Sequence, residues 1–236
     1  MTGFPRYAIY FAAGADSALS RFGAGLLGYD AYTGDELPFP QDALHVAPDW
    51  RDITADPRKY GFHATLKAPM ALAPGRTEAG LIAACAEFAA KVTTKARPVP
   101  VIRPVVDAIS GFIAVIPAEP VEALQQLAAD CVRDFDAFRA GLNAADRARR
   151  KPEQLSERQR DYLDRWGYPY VMEEFRFHMT LTGRLDAERR GPILAMLRDR
   201  FAELKRDTLD IDRIALFKQG DAKARFRIMG EWPLAK

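Results

Sequence analysis

A five-residue phrase that occurs twice is the strongest constraint on the fold of this chain. Residues 62–66 read Phe-His-Ala-Thr-Leu and residues 177–181 read Phe-His-Met-Thr-Leu, and these phrases hold two of the three histidines. Side chains at positions i and i+2 of a β-strand point to the same face, so each phrase puts an imidazole beside a hydroxyl. Imidazole can both take and give a proton near neutral pH. The predicted catalytic site therefore has two imidazole–hydroxyl pairs: His63 with Thr65, and His178 with Thr180.

The surroundings of the two phrases also repeat. In each half, a predicted strand and helix precede the phrase, and a predicted helix and strand follow it. The chain of 236 residues can form one large domain or two small lobes. We predict an α+β fold in which residues 1–236 form a single bilobal domain with approximate repeat halves 1–108 and 109–236. Antiparallel sheets would face a central cleft, with helices outside, and the final strand 224–232 could complete the first lobe.

Two segments interrupt this repeat. Residues 28–60 are rich in Gly, Pro, Asp and Tyr and are predicted to form a long ordered loop. The insertion 142–170 carries seven strongly basic residues against five acidic ones, and a helix is predicted from Ser156 to Trp166. This insertion either covers the cleft or is a solvated helix–turn segment without a role.

Composition limits the class of protein. Apolar residues make up 48% of the chain, which is enough for a sizeable core. The formal charge of +2 does not indicate a long nucleic-acid footprint, although a local basic pocket is compatible with it. Cys85 and Cys131 lie in apolar helical patterns and are interpreted as reduced core residues. No stretch reaches the length of a membrane span. These features predict a cytoplasmic protein without a membrane partner.

The paired phrases favour chemistry on phosphate without a metal or another cofactor. One neutral imidazole could accept a proton, the other imidazole, when charged, could donate one, and the hydroxyls could bind phosphate oxygens. The sequence has no His-x-His, His-Glu-x-x-His or cysteine cluster, and no Gly-x4-Gly-Lys-Ser/Thr loop. Residues 23–28 match Gly-x-Gly-x-x-Gly only in form, because they follow a predicted helix and not a strand.

The two phrases and their flanks resemble the paired His-x-Thr motifs of the 2H phosphoesterase superfamily. Residues 60–69 and 175–185 are most similar to its DUF1045 branch, phosphonate metabolism proteins associated with C–P lyase operons. The resemblance covers essentially the whole chain. It implies the bilobal 2H fold and metal-independent hydrolysis of a cyclic phosphodiester, with no cofactor.

The leading prediction is therefore a hydrolase, a 2H-type cyclic phosphodiesterase that acts on a small phosphorylated substrate. The phosphonate resemblance implies a 5-phosphoribosyl cyclic phosphate. One alternative is an RNA 2′,3′-cyclic phosphodiesterase or 2′-5′ ligase-like enzyme, with RNA as partner. Another is a protein that binds a phosphate ligand without turnover.

Further residues are predicted to bind substrate because of their positions. Lys67 is i+4 from His63 and Arg184 is i+6 from His178, so a continuing strand would keep them on the catalytic face. Either could pair with a second phosphate, and the alternative is a charged residue at a strand end. The remaining candidates are Tyr60, which could stack on a sugar or base, and Lys218 and Gln219, which end a predicted strand.

Overall fold

The structure is a computed structural model that describes residues 3–94 and 99–234. Its strands are β1 Arg6–Phe11, β2 Ala64–Ala71, β3 Val101–Ile102, β4 Pro104–Ile109, β5 Phe112–Pro117, β6 Met179–Thr180, β7 Leu209–Asp210, β8 Arg213–Gln219 and β9 Arg227–Pro233. Its α-helices are α1 Ala18–Leu27, α2 Gln41–Val46, α3 Trp50–Ile53, α4 Ala55–Arg58, α5 Glu78–Thr94, α6 Glu122–Asp134, α7 Ala144–Ala148, α8 Glu157–Trp166 and α9 Ala187–Ala202.

One antiparallel sheet of seven strands organises the described residues. Its strand order is β4-β5-β6-β2-β1-β8-β9, and β3 pairs with β7 in a separate two-stranded sheet. The predicted α+β class with an antiparallel sheet is confirmed. The two strands that carry the repeated phrases, β2 and β6, are hydrogen-bonded neighbours. The site therefore lies on one sheet, and not between two facing sheets as the sequence predicted.

The helix ends follow the local sequence. Helix α1 begins after Ser17, whose hydroxyl accepts a hydrogen bond from the backbone N–H of Ser20. It ends at Gly28, whose φ of 66° is a left-handed conformation that glycine adopts without strain. Helix α8, within the segment predicted to be helical, begins with a capping box between Ser156 and Gln159. Local signals therefore determine where these helices begin and end.

The two faces of the sheet bury different sets of side chains. On β1, Ile9 and Phe11 belong to the main core, which α1, α5, α6 and α9 also line. Ala8 and Tyr10 point to the opposite face and pack with Tyr29. Tyr29 lies in the segment 28–60, which was predicted to be a long loop but contains the short helices α2, α3 and α4. This second face is only partly covered, and the candidate site lies on its open part.

Two further expectations concern cysteine and the membrane. Cys85 and Cys131 are buried, and both thiols are free. None of the helices described in residues 3–94 and 99–234 has the length and apolar character needed to cross a bilayer.

Candidate functional site

The repeated phrase separates core side chains from site side chains by simple alternation. In the first copy, Phe62, Ala64 and Leu66 are at most 7% exposed and belong to the main core. His63 and Thr65 alternate with them and point to the opposite face. The second copy shows the same pattern, with Phe177, Met179 and Leu181 buried in the core. The apolar positions thus fix both strands to the helices, while the polar positions face the cleft.

The pairing of β2 with β6 brings the two phrases together. Ala64 lies opposite Met179 in an antiparallel register. The two strands run in opposite directions, so the residue before Ala64 lies opposite the residue after Met179. His63 therefore faces Thr180, and Thr65 faces His178. The four side chains line one cavity of about 370 Å³, named here the main cavity. The structure therefore brings together the four residues that the sequence predicted to form the catalytic site.

Both imidazoles are held in the same way. Nδ1 of His63 lies 2.9 Å from the carbonyl oxygen of Gly61, and Nδ1 of His178 lies 2.7 Å from that of Arg176. A carbonyl oxygen only accepts hydrogen bonds, so Nδ1 carries the proton in each neutral ring. Nε2 is then the unprotonated nitrogen in both rings. The hydroxyl of Thr65, 3.3 Å from Nε2 of His63, is placed to donate to it.

The surroundings of the imidazoles favour their neutral forms. Burial, with a smaller contribution from the neighbouring His178, lowers the pKa of His63 to about 4. Burial also lowers the pKa of His178. The ring of His63 stacks on Tyr10 with 3.8 Å between ring centroids, which excludes water from one side of the imidazole. Near pH 7 both side chains are therefore proton acceptors in the free protein.

The lowered pKa of His63 predicts that acid destabilises the protein. An unfolded histidine has a pKa of about 6.5, whereas the pKa of His63 in the fold is about 4. Between these values the unfolded state binds more protons, so the free energy of unfolding falls as the pH decreases. From pH 7 to pH 5 we expect His63 to account for a loss of about 1–2 kcal/mol. Urea unfolding at both pH values should show a smaller loss for His63→Gln. An unchanged pH dependence would contradict a neutral His63.

An adjoining cavity of about 380 Å³ extends the cleft. Arg184 is exposed and lines both cavities. Tyr60 lines the main cavity, with its ring centroid 6.0 Å from that of His63, and it stacks on Phe226 at 5.2 Å. Both residues lie where the sequence predicted substrate-binding side chains. That they contact a substrate stays a prediction.

Sequence reasoning missed several residues of the main cavity. Arg6, Tyr168 and Phe112 line it, and so does Arg150, which had been treated only as part of a basic segment. Arg6 precedes Tyr10 by four residues, and this even spacing on β1 was the available signal that it faces the cleft. Arg150 and Tyr168 belong to the insertion 142–170, so the insertion forms part of the cleft wall. That the insertion covers the cleft stays a prediction.

Lys67 lies outside both cavities, contrary to the prediction. Tyr10 pairs with Thr65, but the preceding residue Ile9 pairs with Lys67, so β2 has one extra residue at Leu66. Such a bulge interrupts the alternation of side chains along a strand. The even spacing that predicted a cleft position for Lys67 therefore fails.

The ammonium group of Lys67 is instead buried against α6. It donates to Oδ1 of Asp136 at 2.7 Å and to the carbonyl oxygen of Val132 at 2.9 Å. Asp136 also accepts a hydrogen bond from Nε of Arg139 at 2.8 Å. This ion-pair group ties β2 to the C-terminal end of α6, which is a structural role.

Lys218 and Gln219 also lie outside the two cavities. Nζ of Lys218 pairs with Oε2 of Glu78 at 2.6 Å, so its predicted contact with substrate is not supported by its position. Gln219 is buried, and its Oε1 accepts from Nε of Arg6 at 2.9 Å and from a second nitrogen of the same guanidinium. Gln219 thus positions a residue of the main cavity without lining it.

Metal binding has no visible basis in the described part of the chain. Within residues 3–94 and 99–234, no group of three or more His, Cys, Asp or Glu side chains is arranged to hold an ion. Besides the imidazoles, hydroxyls and guanidinium groups already named, the cavities are lined by the carboxylates of Asp56 and Glu174.

Comparison with known proteins identifies relatives of this chain. Residues 65–227 match the family described as "Protein of unknown function (DUF1045)". Ribose 1,5-bisphosphate phosphokinase PhnN of Janthinobacterium sp. (strain Marseille) is 39% identical over 186 residues, which cover 76% of this chain and 39% of that protein. The protein of the same name from Laribacter hongkongensis (strain HLHK9) is 33% identical over 223 residues, 94% of this chain and 50% of that protein. The chain thus spans half or less of these curated relatives.

These names contradict the prediction of a hydrolase. Both relatives are named as phosphokinases, which are transferases, whereas the sequence analysis predicted hydrolysis of a cyclic phosphodiester. The RNA-directed alternative and the non-catalytic alternative are no better supported by them. The physical reason for the error is that two imidazole–hydroxyl pairs suit several reactions at phosphate, so the motif does not determine the reaction class.

Proposed function

We propose that the main cavity of this chain, which belongs to the DUF1045 family, binds a small phosphorylated ribose. The names of two relatives specify a ribose bisphosphate as the compound on which those proteins act. Because this chain spans half or less of their length, and because its sequence lacks a Gly-x4-Gly-Lys-Ser/Thr loop, the proposal concerns the sugar phosphate and not a nucleotide. A role in phosphonate metabolism is part of the same proposal.

The observation that carries the proposal is the convergence of both His–Thr pairs on one cavity with Arg184. Threonine hydroxyls and the guanidinium group donate hydrogen bonds, and phosphate oxygens accept them. The two neutral Nε2 atoms can accept protons, which suits an acidic ligand. A phosphate ester has its second pKa at about 6, so its protonation state is sensitive to such neighbours. The site therefore matches the phosphate group of the ligand in both hydrogen bonding and charge.

We also propose that this chain shares the fold of the 2H phosphoesterase superfamily, with two duplicated lobes. This second proposal concerns only the fold. The two phrases have matching alternation, and each histidine donates Nδ1–H to the carbonyl oxygen two residues before it. Matching contacts in two halves of a chain are what a duplication produces.

Calorimetric titration with ribose 1,5-bisphosphate tests the proposal. A bound phosphate dianion raises the pKa of a nearby imidazole. Binding at pH 7 should therefore be accompanied by proton uptake, measured from the dependence of the binding enthalpy on the ionisation enthalpy of the buffer. We expect His63→Gln or His178→Gln to reduce this uptake. Thr65→Val should weaken binding about 10- to 100-fold, as expected for the loss of one hydrogen bond to a charged group.

Unphosphorylated ribose is the control ligand, and we expect no measurable binding at the same concentrations. If neither ribose 1,5-bisphosphate nor ribose 5-phosphate binds at millimolar concentration, the proposed function is wrong. Binding that is unaffected by Thr65→Val and by both histidine variants would place the ligand elsewhere and would equally overturn it.

A further inference from the structure

Arg6 is a cation that a neutral side chain holds at the edge of the main cavity. It begins β1 opposite Gln219 of β8, so the two side chains lie on the same face of the sheet. Oε1 of Gln219 accepts from Nε of Arg6 at 2.9 Å. The amide of Gln219, itself 4% exposed, donates to the carbonyl oxygen of Ala224 at 2.7 Å. Both ends of the amide are therefore engaged, and the guanidinium orientation is fixed.

The carboxylates that line the two cavities beside Arg6, those of Asp56 and Asp146, are paired with other cations, Lys59 and Arg149. The guanidinium of Arg6 lies 5.1 Å from the ring centroid of Phe4 and 5.6 Å from that of Phe226. Burial and the positive charges of Arg149 and Arg150 lower the pKa of Arg6. Across residues 3–94 and 99–234, no carboxylate forms an ion pair with Arg6. A half-buried cation beside like charges is unfavourable unless an anion joins it.

Arg150 is the second cation at this edge. Its guanidinium lies 4.9 Å from the ring centroid of Tyr168, another wall of the main cavity. In the described part of the chain it too has no carboxylate partner, whereas its neighbour Arg149 pairs with Asp146. The following residue, Lys151, has a φ of 48°, a left-handed conformation that is uncommon for a residue with a side chain. The turn therefore places Arg150 at the cleft at some conformational cost.

A neighbouring cavity of about 520 Å³, named here the arginine cavity, also has Arg139 and Arg149 in its walls. Arg6 and Arg150 lie between it and the main cavity. Arg6, Arg150 and Tyr60 line both. We propose that Arg6 and Arg150 form a second anion subsite, which binds the distal phosphate of a bisphosphorylated sugar whose other phosphate lies at the His–Thr pairs. This inference rests on the proposed function, and it makes the chain selective for two phosphates over one.

The alternative location for a distal phosphate is Arg184, which lines the main cavity and the adjoining cavity but not the arginine cavity. Arg184 is exposed, so ordering its side chain around a ligand costs conformational entropy. Arg6 is already fixed by Gln219, and its planar guanidinium offers two parallel N–H groups to phosphate. A preorganised cation gives more affinity for the same contact. Arg150 is exposed as Arg184 is, so the difference comes from the fixed guanidinium of Arg6, and it favours the Arg6 side.

The test compares ribose 1,5-bisphosphate with ribose 5-phosphate by calorimetry. Wild-type protein should bind the bisphosphate about 10- to 100-fold more tightly. Arg6→Met and Arg150→Met should each weaken bisphosphate binding about tenfold or more and change monophosphate binding less than about threefold. Gln219→Leu should also weaken bisphosphate binding, but by less, because it removes the group that positions Arg6. Arg147→Met is the matched control, since that arginine lies in the same segment but lines neither the main cavity nor the arginine cavity and is paired with Asp164. It should leave both affinities within about threefold.

The outcomes separate this inference from the proposed function. If wild-type protein binds neither ligand, the proposed function fails. If it binds both equally, or if the Arg6 and Arg150 variants lose affinity for both ligands to the same extent, the sugar phosphate site stands and the second subsite is overturned. Loss of selectivity in Arg184→Met, with Arg6→Met unaffected, would also overturn it. Arg150 lies in a surface segment, so its variant keeps the test informative if Arg6→Met does not fold.

Discussion

The Asp136→Asn variant is expected to unfold with a free energy about 3 kcal/mol lower than that of the wild-type protein. The change leaves the ammonium group of Lys67, whose side chain is 3% exposed, without its carboxylate partner at 2.7 Å. The only other acceptor of this ammonium in the described residues is the carbonyl oxygen of Val132. A buried charge that loses its partner retains the cost of desolvation and loses the compensating attraction.

Variants of Lys67 separate the effect of the unpaired charge from the loss of a contact. Lys67→Met removes the charge and keeps the approximate volume, and Asp136 still pairs with Arg139. We therefore expect Lys67→Met to cost about 1 kcal/mol or less. The double variant should recover about half of the loss caused by Asp136→Asn, because no unpaired ammonium remains.

Urea unfolding of the four proteins measures this coupling. Ribose bisphosphate binding should be unchanged in Lys67→Met, since Lys67 lies outside both cavities of the cleft. If Lys67→Met abolished binding without loss of stability, the substrate-binding position predicted from the sequence would be right and the structural assignment wrong.

The two His–Thr pairs could be predicted from the sequence because their information is local. Alternation within five residues assigns Phe62 to the core and His63 to the opposite face, and the second copy repeats this assignment. That the two copies meet follows from one backbone pairing, Ala64 with Met179. The relation between the strands could not be derived locally. The sequence therefore suggested two facing sheets where β2 and β6 share one.

The side chains at longer spacing show where this reasoning fails. Extrapolation from His63 to Lys67 assumes an unbroken strand, and the extra residue at Leu66 breaks it. Arg6 and Arg150 are distant in the sequence, and no periodicity connects them. Their common position at the cleft depends on the path of the insertion 142–170, which tertiary contacts determine.

The glycines of residues 23–28 show how similar sequence patterns arise for different reasons. Their Gly-x-Gly-x-x-Gly pattern lies in and just after α1, whereas the sequence placed it after a helix. In neither case does it form a loop after a strand. Gly28 ends the helix with a positive φ, and Gly25 has open space beside its Cα. Gly23 is different, because a Cβ atom there would lie 2.0 Å from Cγ of Phe62. Packing thus explains Gly23 and backbone conformation explains Gly28, without a nucleotide, whereas nothing in the structure explains the glycine at position 25.

Gly23→Ala is expected to lower the free energy of unfolding by about 3 kcal/mol, at the upper end of the usual cost of overpacking a core. The added methyl group overlaps the ring of Phe62, which is 7% exposed and cannot move into solvent without opening the core. Gly25→Ala is the matched control on the same helix. It should stabilise the protein by about 0.5–1 kcal/mol, because alanine favours a helix and nothing lies within 4 Å of its Cβ position.

The same pair of variants tests how α1 supports the site. Phe62 directly precedes His63, so a shift of its ring moves the strand that presents the imidazole to the main cavity. Displacement of a binding group by about 1 Å is enough to weaken a charge-assisted hydrogen bond severely. We expect folded Gly23→Ala protein to bind ribose 1,5-bisphosphate at least about tenfold more weakly, whereas Gly25→Ala should bind it as the wild type does. Full affinity in a destabilised Gly23→Ala variant would mean that the packing of Phe62 maintains the core and does not position His63.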